Sequence, residues 1–549
     1  MSNKYQQGLD KQAANYSALT PISFLKRSAT VFPDKIAVID EDVRFTYAQF
    51  YTRSRRMASA LQQLGIQPQD TVSMLCFNTH QLLEGHFFVP MAGAVLNALN
   101  VRLDAASIRF ILQHGESHAL IYDPALEAVV QEAVQDLPTP PILISTGRVG
   151  TASPGVNSLD YETLLASGDP LFAWQKPQDE WDAISLCYTS GTTGNPKGVV
   201  YHHRGAYLSG LGNAMAFNMT PETVYLWTLP MFHCNGWCYT WAIVAVGGTQ
   251  VCLRKVQSDI ILRHLQEDQV THLCGAPVVL NMLVNDFAKD QIVLEQWVQF
   301  AVGGAAPPEA VIAKGKQVGF RITHLYGLTE SYGPSTVCVP QPAWSNLDTD
   351  ALAVKMSRQG VGLYAMDDIN VLDRNTGQPV PADGQTLGEL VHRGNTLMKG
   401  YLKNPQSTQE AFQDNWFHTG DLAVMHPDHY VEVKDRAKDI IISGGENISS
   451  KEVEDVLYRH PQVLEAAVIA SPDAHWGEVP CAFVTLKDTA VLDETDIIAF
   501  CRQHMPGYKI PKQVVFGPLP KTSTGKIRKN VLRAQVQQDL PPDKTDPSS

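Results

Sequence analysis

The stretch LCYTSGTTGNPKGVV, residues 186–200, decides how this chain is read. An apolar run over 183–188 predicts a buried strand. It feeds a loop of Thr189, Ser190, Gly191, Thr192, Thr193, Gly194, Asn195 and Pro196 that ends on Lys197. Glycines let backbone approach an anion, hydroxyls and amides donate to it, and the lysine adds a cation. That set suits a polyphosphate. The GxxxxGK[ST] phosphate loop cannot be aligned on it. A plain Ser/Thr/Gly surface loop is the ordinary alternative; the length of the segment and its embedded lysine argue against it.

The rest of the chain frames this loop. Its 549 residues, 44% hydrophobic and 18% charged, fit a soluble globular protein of three or four folding units. A formal net charge of −13 argues against a general nucleic-acid binder, which carries a basic face. The nine cysteines are scattered through apolar runs, as reduced buried thiols are. His233, Cys234 and Cys238 lack the second ligand pair of a zinc site. The most apolar region, 85–101, is broken by Pro90, Gly93, Asn97 and Asn100, so no membrane span is expected. No secretory h-region opens the sequence and no peroxisomal or prenylation motif closes it. A cytoplasmic location is the expectation.

Strand-like and helix-like segments alternate over 30–300. Strands are expected at 36–39, 71–77, 119–122, 141–144, 224–229, 250–253 and 299–302. Thr46 and Gln49 form a capping-box pattern for a helix through Leu64 that stops at Gly65. A second helix is expected over 81–94. This alternation implies α/β layers with largely parallel sheets. From about Gly360, turn pairs such as Asp383-Gly384 separate short alternating strands, the texture of a smaller β-rich subdomain. A charged run at 435–439 marks a further break. Ser449 and Glu452 offer a capping box beyond it, for a helix through Tyr458. The expected division is 1–437 and 438–549.

Five further segments follow in order. They are Gly303-Gly304-Ala305-Ala306-Pro307, Tyr326-Gly327-Leu328-Thr329-Glu330, Trp416-Phe417-His418-Thr419-Gly420-Asp421, Asp435-Arg436-Ala437-Lys438-Asp439, and Ser443-Gly444-Gly445-Glu446-Asn447-Ile448. A sixth, PKTSTGKIRK, spans 520–529 and contains Lys526. Each has an ordinary alternative when read singly: a strand terminator, a surface acid, a helix N-cap, a solvated lysine. Together with the 186–200 loop they resemble the ordered signature of the adenylate-forming (ANL) superfamily, which comprises acyl-CoA synthetases, adenylation domains and luciferases.

The resemblance covers about residues 21–540 and implies the superfamily's fold: α/β, with a large N-terminal AMP-binding domain of layered α/β subdomains plus a β-rich subdomain, and a small mobile C-terminal α/β lid carrying a catalytic lysine. It implies ATP, Mg²⁺ and coenzyme A. The phosphate loop, Thr189 to Thr193 with Lys197, would hold the triphosphate, Lys197 facing the departing pyrophosphate. Gly304, Ala305 and Ala306 would border adenine, and Tyr326 on Gly327 would stack on it. Thr329 would donate to the α-phosphate. Thr189 and Glu330 would hold Mg²⁺, which takes oxygen ligands. Asp421 would accept from the ribose hydroxyls, with Arg436 beside it. Lys526 would bridge carboxylate and α-phosphate, Lys438 would be the hinge, and Gly444 and Gly445 would face the thioester-forming site.

The segment Met231-Phe232-His233-Cys234-Asn235-Gly236-Trp237 is similar to that of short- and medium-chain fatty acyl-CoA ligases of the 3-methylmercaptopropionate–CoA ligase type, and to plant acyl-activating enzymes for small acids. It implies an acyl pocket of His233, Trp237 and Gly303. Butanoate to octanoate and thioethers such as 3-methylthiopropionate are the expected acids. An aromatic or long-chain ligase and a luciferase-like oxidative enzyme are the alternatives. A small carboxylic acid is the expected partner, with no nucleic acid, and a homodimer is the family's common assembly.

Overall fold

The apolar runs become strands of two large sheets that share helices between them. The computed structural model describes residues 4–147, 158–189, 196–436, 439–444, 446–473, 475–487, 490–522 and 526–538. One eight-stranded sheet has the order Gly400–Tyr401, Gly198–His202, Ala183–Tyr188, Val95–Ala98, Thr71–Leu75, Ser117–Tyr122, Ile142–Ser145, Leu159–Asp160. Its centre is parallel, Thr71–Leu75 pairing with both neighbours in one direction. At the phosphate loop the rule changes. Ala183–Tyr188 and Gly198–His202 are antiparallel, with Cys187 opposite Val199 and Tyr188 opposite Gly198. The loop is therefore the connection of a long hairpin rather than a strand-to-helix turn.

The second sheet has nine strands. Its parallel middle runs Val224–Leu226, His272–Gly275, Val298–Val302, Phe320–Leu328, and antiparallel strands Gly333–Val337 and Val43–Thr46 lie toward its two edges. After Gly360 a five-stranded antiparallel sheet forms from Met366–Leu372, Gly388–Gly394, Phe412–Gln413, Trp416–Met425 and Val431–Arg436. A separate five-stranded sheet follows, built on the long hairpin of Val463–Asp473 and Gly477–Leu486.

Local signals act as the chemistry requires, with one exception. Thr46 accepts from the Gln49 amide and the Gln49 side chain accepts from the Thr46 amide at 2.8 Å, opening the helix Tyr47–Gln63. Ser449 likewise accepts from the Glu452 amide and opens Ser450–Arg459. Its reciprocal arm is missing, because the Glu452 carboxylate instead takes Lys509 at 2.6 Å. Residues 85–101 divide into the helix His80–Met91 and the strand Val95–Ala98. Among the described residues no helix is long and apolar enough to cross a membrane. All nine cysteines are free and buried.

Burial separates the chain into two bodies of core. Five hydrophobic clusters draw only on residues before 434, and two draw only on residues after 440. No described cluster spans the charged run at 435–439. The two sides meet through polar contacts: Arg459 with Glu309 at 2.8 Å, Asn281 with the Leu464 carbonyl at 3.2 Å, and the Ser450 amide with Asp435 at 2.8 Å.

Candidate active site

The site assembles where the first three sheets end. Tyr326 sits near the end of Phe320–Leu328, and its hydroxyl donates to Asp421 Oδ2 at 2.6 Å. Asp421 lies in the strand Trp416–Met425, which excludes the helix N-cap alternative. Antiparallel register sets Asp421 directly opposite Arg436, whose Nε is 3.2 Å from Oδ1. That oxygen is buried and makes no hydrogen bond of good geometry, so it keeps an acceptor site open. Gly327 is glycine for a steric reason: a Cβ there would lie 2.0 Å from the Gly333 carbonyl.

A second group forms around Glu330, in the short turn Thr329–Ser331. The Tyr401 hydroxyl donates to Glu330 Oε1 at 2.8 Å, while the Tyr401 ring lies 4.7 Å under the Lys197 ammonium. One tyrosine thus ties the cation of the phosphate loop to the carboxylate. The Thr329 carbonyl accepts from Tyr201 at 2.7 Å, and its hydroxyl accepts from the Cys234 thiol at 3.7 Å. Thr189 closes the loop's base, its amide donating to the Lys197 carbonyl at 3.0 Å. Ser190, Gly191, Thr192, Thr193, Lys438 and Gly445 lie outside the described residues.

Behind these groups the chain winds the wrong way. Cys234, Asn235, Gly236, Trp237 and Cys238 all have positive φ, from 41° to 64°. A left-handed turn costs roughly 1–2 kcal/mol per non-glycine residue, and its surroundings must hold it. Asn213 donates to the Trp237 carbonyl at 2.9 Å, and the Cys238 thiol donates to the Tyr332 carbonyl at 3.3 Å. The turn drives the Trp237 indole, 5% exposed, against two glycines. A Cβ at Gly303 would come within 2.8 Å of the indole, and one at Gly333 within 2.9 Å of the Trp237 backbone. Trp237 belongs to the largest hydrophobic cluster of the described residues.

Lys526 comes from the C-terminal side. Its side chain is open to the cleft yet hemmed in by its walls, and the ammonium is pushed down to about 8. Loss of water is the main cause; the Arg436 cation adds to it, and Asp421 and Asp439 oppose it. His233 is held down to about 4, first by burial and then by the facing charge of Lys526. These mutual effects bring Lys526, His233, Asp421 and Arg436 to one place. His233 is neutral at physiological pH.

Gly304, Ala305 and Ala306 follow the strand Val298–Val302, the parallel neighbour of the strand bearing Tyr326. Gly304 has a φ of +83° and open space where a Cβ would be. Gly444 lies elsewhere, on the turn between Ile441–Ser443 and Glu446–Ile448, with Trp476 packed so that a Cβ would meet it at 2.7 Å. Among the described residues no contact joins Gly444 to the groups above. Tyr401, Tyr201 and the Cys234 thiol are the participants that sequence reasoning missed. Their partners are 71, 128 and 95 residues away, and no local spacing marks them.

Residues 25–402 match the family described as AMP-binding enzyme, and residues 452–526 match the AMP-binding enzyme C-terminal domain. The chain is 49% identical over 549 residues to an acetate/butyrate–CoA ligase of Arabidopsis thaliana, covering 96% of each. It is 50% identical to an acetate–CoA ligase of Humulus lupulus, covering 96% of this chain and 97% of that one. Among solved structures, ATP-bound MatB from Rhodopseudomonas palustris superposes with a TM-score of 0.81 at 25% identity, over 94% and 98% of the two chains. The chain belongs to the AMP-binding enzyme family of adenylate-forming proteins and is an AMP-forming acyl-CoA ligase that uses ATP. The cytoplasmic expectation is corrected by the same comparison. The Arabidopsis acetate/butyrate ligase and several other relatives are named as peroxisomal, against that expectation.

Proposed function

We propose that this ligase activates short aliphatic carboxylic acids, from acetate and butanoate to similarly slim thioethers, and passes the acyl group to coenzyme A. The observation that carries this reading is the Trp237 indole seated on Gly303 and Gly333, beside the His233 that faces Lys526. Such an indole shortens any tunnel running past it. Relatives named for acetate and butyrate support the same size class.

In the first half-reaction a carboxylate oxygen attacks the α-phosphorus of ATP, the bond to the β-phosphate oxygen breaks, and pyrophosphate leaves. The acyl-adenylate remains. Tyr326 and Asp421 orient the nucleoside, the open Oδ1 accepting from ribose. Lys526 lies between the two reacting anions and offsets the charge that builds on the phosphoryl oxygens. Lys197 meets the leaving pyrophosphate, steadied by Tyr401. The donor set of the Thr189 hydroxyl and the Glu330 carboxylate fits Mg²⁺, a hard cation that takes a few protein oxygens plus substrate phosphate. Bound there, it supplies charge neutralisation of the triphosphate. Neutral His233 bounds the carboxylate without adding charge. In the second half-reaction the coenzyme A thiol loses its proton, its sulfur attacks the acyl carbon, and AMP departs. We assign 438–549 as the lid that withdraws Lys526 for this step, with Lys438 as pivot, so that Gly444 and Gly445 come to face the thioester site. Polar contacts without a shared core support that mobility.

Product analysis with an acid panel tests the proposal. AMP, pyrophosphate and acyl-CoA are expected, dependent on Mg²⁺, with butanoate far ahead of palmitate. Formation of ADP and orthophosphate, or a preference for palmitate over hexanoate, overturns it.

A further inference from the structure

A second cleft lies at the far end of the strand pair that carries the phosphate loop. It encloses about 380 Å³ between Trp181 and His202 on one side and the strands bearing His392, Arg393 and Trp416 on the other. That volume falls in the range of small-molecule sites, roughly 300–1,000 Å³. Two kinds of side chain dominate its lining. Trp181, Phe412, Trp416 and Phe417 supply aromatic surface, while Arg204, Arg393 and Lys399 are its charged members among the described residues.

Cations and rings interleave. The Arg393 guanidinium lies 4.4 Å over Trp416, and the Lys399 ammonium lies 5.5 Å over Trp181. Trp181 stacks on His202 with centroids 4.2 Å apart. Acids reach all three cations from outside: Glu180 is 3.7 Å from Arg204, Asp367 and Asp368 are 3.3 and 3.2 Å from Arg393, and Asp182 and Asp179 act on Lys399, whose ammonium also donates to the Trp181 carbonyl at 2.5 Å. Those on Arg393 are largely exposed and hold it weakly. Among the described residues no acid lines the cleft itself.

The floor is His392. It is fully buried, and neither ring nitrogen has a hydrogen-bond partner. A buried imidazole left in that state costs free energy that a ligand's polar group could recover. The adenylation reaction does not use His392, yet its ring meets Tyr326 edge to face at 6.0 Å. The adjoining Met398 amide donates to the Glu330 carbonyl at 2.8 Å. The cleft therefore stands back to back with the adenine and carboxylate groups of the active site.

We propose that this cleft binds a small flat aromatic anion, its ring between Trp181 and Trp416 and its anionic group on Arg204 and Lys399. An aromatic carboxylate and a purine nucleotide share that chemistry.

Crystals of the whole protein soaked separately with 4-bromobenzoate and with 8-bromo-AMP provide the test, since bromine locates each probe by anomalous scattering. A bromine peak between Trp181 and Trp416 with the first probe identifies an aromatic carboxylate, and with the second a nucleotide. In solution, quenching of tryptophan fluorescence by the successful probe should weaken roughly tenfold or more in Trp181→Ala/Lys399→Met, as loss of a charge-assisted contact requires. AMP formation from butanoate should be unchanged in that variant when no probe is present. Bromine found only in the adenylation cleft, or nowhere, overturns the proposal. So does equal binding of cyclohexanecarboxylate, which would remove the aromatic requirement.

Discussion

The two sides of the 435–439 run hold their functional groups in opposite ways. Up to Arg436, several described groups are tied to one another: Tyr326 to Asp421, Asp421 across from Arg436, Glu330 to Tyr401, Trp237 onto its glycines. After it, Lys526 accepts at its carbonyl from the Thr522 amide at 2.7 Å, and the body that carries it has its own core. A nucleotide needs a rigid cradle, because each loosened contact is lost in every complex. A cation needed in only one half-reaction gains by arriving on a body that can leave. The nucleotide-side groups and the lysine thus draw on separate cores.

The sharpest way to break this contrast is Lys526→Ala. Pyrophosphate release in a single turnover should fall about 10²–10³-fold, the usual loss of one electrostatic stabiliser. Thioester formation from supplied acyl-adenylate should persist. Equal loss of both half-reactions would make the lysine part of the rigid frame. Lys438→Pro should do the reverse, because it fixes a torsion where rotation is needed; adenylate should form and accumulate while acyl-CoA production falls. Trp237→Ala probes the locked side. Its cost in stability should be about 3–5 kcal/mol, as for other buried aromatic truncations, and its optimum should move from butanoate toward longer acids. An unchanged chain-length profile would leave the indole a core residue alone.

A tenfold effect is expected from pH. Lys526 carries its charge below about 8 and loses it above. The kcat/KM for adenylation, which reports the free enzyme, should drop about tenfold between pH 7 and pH 9. Lys526→Arg should flatten that limb, since guanidinium stays charged. The smallest effect belongs to Tyr326→Phe, which removes one hydrogen bond to Asp421. A rise of about 2–10-fold in KM for ATP is expected, matching about 0.5–1.5 kcal/mol, with thioester formation untouched.

Much of the rigid frame was legible from the chain because its groups sit in short runs at strand ends. The strand leading into the phosphate loop, the Tyr326–Glu330 segment and the Thr46 cap all follow from neighbours within a few residues. What escaped depends on distance or handedness. Nothing near Gly400-Tyr401 says that this ring will sit between Lys197 and Glu330. The pairing of Asp421 with Arg436 is a matter of register across a hairpin that bulges between Leu422 and Ala423. The antiparallel partner of Ala183–Tyr188 was hidden because an apolar strand reads alike in either direction. The capping pattern at Ser449 promised a reciprocal bond from Glu452 that Lys509, 57 residues beyond Glu452, takes away. Five consecutive left-handed residues contradict local preference outright, and only the packing around Trp237 accounts for them.

The indole and its glycines also constrain how this lineage can change. Substitution at 237 stands alone, since shrinking the indole asks nothing of its neighbours. Enlarging position 303 or 333 does not: a methyl at 303 would strike the indole and the Leu325 carbonyl, each at 2.8 Å, and 333 has a φ of +98° that side chains resist. Removing the indole lifts only one of these obstacles, the ring facing 303; the Leu325 carbonyl there and the backbone at 333 remain. Once 303 has been filled, the indole cannot return until 303 is emptied again. Loss of the indole is therefore a single mutation to make and, where 303 has been filled after it, at least two in fixed order to undo.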